Sequence, residues 1–144
     1  MLNFCSLYSG SSGNCLFVEN NSTKILVDCG VSGKKVCEGL ESIDKKIEDI
    51  DAIIVTHEHS DHVQSLGLIS KKYNIPVYAN TETWQAMPTQ SQKILENNKK
   101  HSIMIMTLKL EIYLFIHFQH LTTQLTLVVL IFILEKEKSV LRQT

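Results

Sequence analysis

Residues 52–62, Ala52-Ile53-Ile54-Val55-Thr56-His57-Glu58-His59-Ser60-Asp61-His62, place three histidines and two acids directly after four apolar residues. The apolar run reads as a buried strand. On an extended segment side chains alternate in direction, so His57 and His59 point the same way, and a turn at Ser60 can bring Asp61 and His62 to the same cavity. Imidazole nitrogens and a carboxylate are the donors that zinc prefers, and their clustering here makes two adjacent subsites rather than one. A divalent cation at such a site lowers the pKa of bound water to about 7, and a second one can stabilise a leaving oxygen. The chemistry this pattern points to is hydrolysis. A histidine-rich loop with no ligand would account for one such residue; it accounts poorly for HxHxDH at a strand end.

Composition sets wide bounds around that segment. At 144 residues, 44% hydrophobic and 20% charged, the chain has the make-up of one globular domain. Its formal charge of -1 provides no global basic field to steer a polyanion, so contact with nucleic acid would need local lysines or bound metal. Cys5, Cys15, Cys29 and Cys37 form no CxxC pair and have apolar neighbours, which predicts reduced, partly buried thiols rather than a zinc ribbon. The N-terminus lacks the basic and apolar regions of a secretory signal, so a cytoplasmic location is expected.

Upstream of the histidines, "MLNFCSLY", "CLFVEN" and "TKILVDCG" predict three strands, the first two joined by the small-residue turn "SGSSGN" (Ser9 to Asn14). Leu40, Ile43, Ile47 and Ile50 recur at helical spacing and predict one or two short amphipathic helices before the central strand. Asp61 is placed to cap a following helix with Val63, Leu66 and Ile69 or Ser70 on its apolar face. "IPVYAN" predicts another strand and "TETWQAM" a helix start capped by Thr81; "QSQKILENNKK" is polar, helical or loop-like, and "HSIMIMTLKLEIYLF" could form a hairpin. Alternating strands and helices indicate an α/β layered domain.

The stretch "THEHSDH", with "SGSSGN" near the start and "ILVDCG" before it, resembles the metallo-β-lactamase superfamily, in the branch known as WalJ or YycJ. That resemblance covers Met1 to about Ile112. It implies the N-terminal portion of an αββα sandwich, here incomplete, with two divalent metal ions (zinc or manganese) at its edge, and nucleolytic cleavage of DNA. His57 and His59 would bind the first metal; Asp61 and His62 would bind the second and form the catalytic pair. Asp28 would stand behind the site as a supporting group, Thr56 would brace the signature loop, and Ser9 to Asn14 would either line the cavity or serve only as a hairpin turn.

The family pattern also needs a third histidine, an aspartate bridging both metals and a late histidine. His101, His117 and His120 lack the usual Asp or Gly context and read as ordinary strand or surface histidines, since a usable ligand needs supporting hydrogen bonds. Residues 113–144 are atypical. Ile112 to Leu134 is 23 residues without a formal charge, but seven of them are His, Gln or Thr, which argues against a membrane span. Triplets read across the codon boundaries permit Ser-His-Asp-Ala within Phe118 to Gln124 and Ala-Thr-Asp across Leu141 to Thr144, the missing third histidine and bridging aspartate in order. A frame break near Ile112 to Leu114, leaving an out-of-frame apolar tail and fewer bound metals, is therefore expected. Hydrolysis of DNA, or of a small phosphoester or ester, is the leading function. A remnant with a partial metal site and a hydrolase of thioesters or lactams are the alternatives. No membrane association is expected, and no protein partner can be inferred.

Overall fold

A computed structural model describes residues 3–19 and 23–101. The first three apolar runs form β1 (Asn3–Tyr8), β2 (Cys15–Glu19) and β3 (Lys24–Val27), paired antiparallel in sequence order. From β3 onward the connections change. A helix α1 (Gly33–Glu41) and a 3-10 turn (Ile47–Asp49) lead to β4 (Ala52–Ile54). Helices α2 (Ser60–Val63) and α3 (Leu66–Tyr73) lead to β5 (Val77–Ala79), and α4 (Thr81–Ala86) and α5 (Pro88–Ser91) lead to β6 (Lys99–His101). β3 to β6 are parallel neighbours, so the six described strands lie in one sheet in chain order. A parallel neighbour is reached only by a crossover, which is why helices begin where parallel pairing begins.

One face of the sheet and the helices share a core. Phe17, Leu26, Ile53, Val55 and Val77 pack with Val36 and Leu40 of α1 and Leu66 and Ile69 of α3. Each such side chain contributes roughly 1.5–3 kcal/mol when fully buried. Val18, Ile25, Val27 and Ile54 alternate with these, lie outside that cluster and are buried as well. Apolar residues at both parities make β3 and β4 continuous hydrophobic runs, the pattern of strands covered on two sides. The α/β class expected from the sequence is the observed one. The described residues supply one sheet and the helices on it; the remaining layers of an αββα sandwich are not among them. Residues 102–144, with all of the expected hairpin after His101, the tail 113–144, His117, His120 and the apolar stretch from Ile112 to Leu134, lie outside the described residues. Among the described residues, no helix is long and apolar enough to cross a membrane.

Three local expectations are corrected. Asp61 does not cap a helix: α2 starts at Ser60 with His59 at the cap position, which puts Asp61 inside the first turn. The helix after the signature is broken at Gln64 and Ser65 into α2 and α3, and the Ser65 N–H bonds to the carbonyl of Cys29. α4 is capped by Asn80, whose side chain accepts from the Thr83 N–H, and Thr81 is its first helical residue. Moreover, "KKH", where the polar segment meets the expected hairpin, is a strand, because β5 presents a parallel edge that Lys99–His101 can join.

Glu19 on β2 is bridged to Lys45, beyond α1, through both carboxylate oxygens at 2.8 Å. The Lys45 ammonium holds the Glu19 carboxyl below its ordinary value of 4.5 against the opposing effect of burial. A carboxyl depressed in the folded state stabilises above its unfolded pKa and loses that contribution as pH falls through the folded value. Lys45→Met is therefore expected to cost on the order of 1 kcal/mol at pH 7. In urea melts the gap between the two chains should narrow as pH falls through the folded value of the Glu19 carboxyl; a gap that does not change with pH would assign the loss to packing of the lysine stem.

Candidate metal centre

β3 and β4 run parallel with Val27 opposite Ile54, so the residues that follow each strand leave the sheet at the same edge. In open α/β sheets the carboxyl ends of parallel strands are where ligands bind. Asp28 follows β3 in the left-handed region, φ 64°, a conformation costing on the order of 1 kcal/mol that Asp tolerates better than most residues. That turn directs its buried carboxylate at the segment leaving β4. Oδ1 accepts from the Thr56 N–H at 2.8 Å, and Oδ2 accepts from the Thr56 hydroxyl at 2.7 Å and lies 2.7 Å from His62 Nδ1.

These contacts fix the ring protons. A carboxylate can only accept, so the Thr56 hydroxyl hydrogen points at Asp28 and His62 carries its proton on Nδ1. With its hydrogen committed, Thr56 Oγ1 can only accept from His57 Nδ1, 2.9 Å away. Both rings therefore hold the Nδ1–H tautomer, with the lone pair on Nε2, the state in which imidazole binds a cation. Burial pulls the His62 pKa down, but the hydrogen bond to Asp28 and the charges of Asp28 and Asp61 outweigh it and leave the group above its ordinary value.

The signature loop is stitched to the glycine loop by backbone. Asn14 N–H bonds to the Asp61 carbonyl at 2.8 Å, Gly30 N–H to the Asn14 carbonyl at 2.9 Å, and Cys29 N–H to the His62 carbonyl at 2.9 Å. Gly30 must be glycine: a Cβ there would stand 1.6 Å from the Asp61 carbonyl oxygen. Ser9 to Asn14 thus forms the β1–β2 turn, and its last residue, Asn14, lies against Asp61 and His62. The contacts of Asn14 and Gly30 have no sequence signal of their own beyond the glycines around them.

The structure brings His57, His59, Asp61 and His62 together. Ring centroids are 4.6 Å apart for His57 and His59 and 3.9 Å for His57 and His62, and Asp61 Oδ2 lies 3.5 Å from His62 Nε2. Donor type and ring tautomers suit a divalent cation. The arrangement nonetheless supplies only part of a coordination shell: among the described residues no three His, Cys, Asp or Glu side chains are set to hold one metal ion. His101 is exposed at the end of β6, its ring 6.2 Å from Trp84, and no described grouping includes it as a ligand. All four cysteines are free. The Cys29 thiol, next to Asp28, is pushed well up by its hydrogen bond with Cys15 and by burial.

Residues 8–132 match the family model of the metallo-beta-lactamase superfamily. The chain is 48% identical over 98 residues to the exodeoxyribonuclease WalJ of Streptococcus pneumoniae, covering 66% of this chain and 36% of that protein. It is 49% identical over 86 residues to the exodeoxyribonuclease YycJ of Bacillus anthracis, covering 60% of this chain and 33% of that protein. The chain therefore spans about a third of the length of these relatives. Among solved structures, a metallo-beta-lactamase-type protein of Thermotoga maritima superposes with a TM-score of 0.53 at 15% identity, over 70% of this chain and 58% of that one. The Rm3 metallo-beta-lactamase superposes with a TM-score of 0.50 at 23% identity, over 58% of this chain and 31% of that one. At such identities the superpositions speak for the fold alone.

Proposed function

This chain belongs to the metallo-beta-lactamase superfamily, and from that membership we propose that its site serves metal-dependent hydrolysis of phosphodiester bonds in DNA. The observation that carries the reading is the Asp28 hub, which sets the tautomers of His57 and His62 from one buried carboxylate. Direction toward DNA comes from the two exodeoxyribonucleases that share nearly half of the aligned residues. His57 and His59 would hold one cation, Asp61 and His62 the other, with the remaining ligands supplied from outside residues 3–101. Bound there, zinc or manganese would supply a hydroxide at neutral pH and charge to offset that developing on the phosphate. The protein's own part is positional. Asp28 and Thr56 hold the two rings, and the glycine loop holds the backbone that carries Asp61.

A second reading, a remnant with a partial site, is favoured by one observation: no described group of three ligands closes a shell. Hydrolysis of a thioester or lactam is the third. Nucleotide release from single- and double-stranded DNA with manganese tests all three. A gene with its reading frame restored near Ile112 to Leu114 is expected to give cleavage that chelation and Asp61→Ala both abolish. The 144-residue chain is expected to be on the order of 100-fold slower, because loosely held ions misplace the attacking group. Lactam or thioester turnover without DNA cleavage by either chain would reject the nuclease reading, and equal rates for the two chains would reject the remnant.

A further inference from the structure

The groove between α1 and α3 uses none of the side chains of the metal centre. Its volume is about 460 Å3, and Gly33, Cys37 and Glu41 line it from α1, with Ile69 and Tyr73 from α3. Steps of four residues keep the first three on one face of their helix. Both helices run the same way: Gly33 stands against Leu68 and Ile69, and one turn further on Cys37 Sγ lies 3.8 Å from the Tyr73 hydroxyl. Leu68, on the groove, is 61% exposed, more than any other large hydrophobic side chain among the described residues. Charge is segregated along α1, with Lys34 in its first turn, Glu38 in its second and Glu41 at its end. Lys34 and Glu38 are 3.6 Å apart, but their side chains are 86% and 53% exposed, and such a pair holds little.

We propose that this groove seats a second copy of the chain across a two-fold axis, each copy presenting the same surface to the other. An axis through the middle of the groove, near Cys37, lays the helices of the two copies antiparallel. Lys34 of each copy then stands opposite Glu41 of the other, and each Leu68 enters the other's groove. Segregated charge is what selects this partner. A row that is positive at one end and negative at the other complements itself only when turned end for end. Laid in the same direction, the two rows would set Lys34 against Lys34 and Glu41 against Glu41, which repels. Burial of Leu68 supplies the apolar anchor that such a contact needs. A two-helix patch is at the small end of specific interfaces, so the dimer is reversible.

Sedimentation velocity of the 144-residue chain over micromolar concentrations, in chelator, tests this without drawing on the metal centre or on DNA. A reversible monomer–dimer equilibrium is expected. Leu68→Glu should weaken it by on the order of 10-fold or more, and Lys34→Glu or Glu41→Lys alone by about 10-fold. The double variant, with both charges exchanged, should recover most of the wild-type affinity, because opposite charges face each other again. All three side chains are exposed, so the variants keep the fold. Carbodiimide coupling of a mixture of unlabelled and nitrogen-15-labelled chains should join Lys34 of one copy to Glu41 of the other. A monomer at every concentration would overturn the proposal, as would an association that Leu68→Glu leaves unchanged. A double variant no tighter than either single one, or coupling confined to peptides of one label, would overturn the two-fold contact equally.

Discussion

Gly30→Ala is expected to cost about 3 kcal/mol of stability and to disorganise the signature loop, the loss combining overpacking against backbone with hydrogen bonds that can no longer form. The methyl would have to occupy space 1.6 Å from the Asp61 carbonyl oxygen and 2.8 Å from the Asn14 nitrogen, both of them backbone atoms. Neither can turn aside as a side chain would. Moving Asp61 outward stretches the Asn14–Asp61 bond and the Cys29–His62 bond at once, since residues 61 and 62 share the first turn of α2. Gly33→Ala is the control. A Cβ at Gly33 meets the Leu68 Cδ2 at 3.2 Å, the far end of an exposed side chain, and alanine is the better helix former by roughly 0.5–1 kcal/mol. Urea denaturation should therefore show a large drop for Gly30→Ala and none for Gly33→Ala. Equal midpoints would mean that the glycine loop and signature loop are not held as tightly as the structure has them.

What the sequence disclosed divides along a physical line. Contiguous apolar runs, Ile25–Val27 and Ala52–Ile54 above all, declare buried strands because burial on two faces leaves no place for polar residues. β6 has no such mark: "KKH" becomes a strand through the open edge of β5, a property of its neighbour rather than of its own residues. The same contrast holds at the site. Four donors within six positions are legible as a cluster wherever the chain folds. Asn14 acts on Asp61 from 47 residues away, and Gly30 is needed only because a distant carbonyl lies against it, so both stay silent until the loops are in place. Asp28 stands between these cases. The family resemblance implied a supporting role for it, while the proton order it imposes emerges only from three distances.

Asp28→Asn is expected to weaken metal binding by about 10- to 100-fold while leaving the backbone in place, the range found when a ligand's hydrogen-bonding partner is removed. Asparagine tolerates the left-handed conformation that Asp28 adopts at φ 64°, so the turn after β3 is retained. Proton order is what changes. Asp28 accepts three hydrogen bonds through two oxygens, and an amide offers only one oxygen. If that oxygen keeps the Thr56 N–H, the new NH2 faces both the Thr56 hydroxyl and His62 Nδ1, and each must become an acceptor. His62 then moves its proton to Nε2, the nitrogen that a cation requires. Thr56, with its hydrogen released, can donate to His57 Nδ1 and push that ring's proton the same way. One atom exchanged behind the site thus turns both rings from ligand to donor without moving either. Nitrogen-15 spectra should report the tautomer of His57 and His62, and zinc titration the affinity. Retention of the Nδ1–H form in Asp28→Asn with unchanged zinc binding would show that the rings are oriented by something other than this carboxylate.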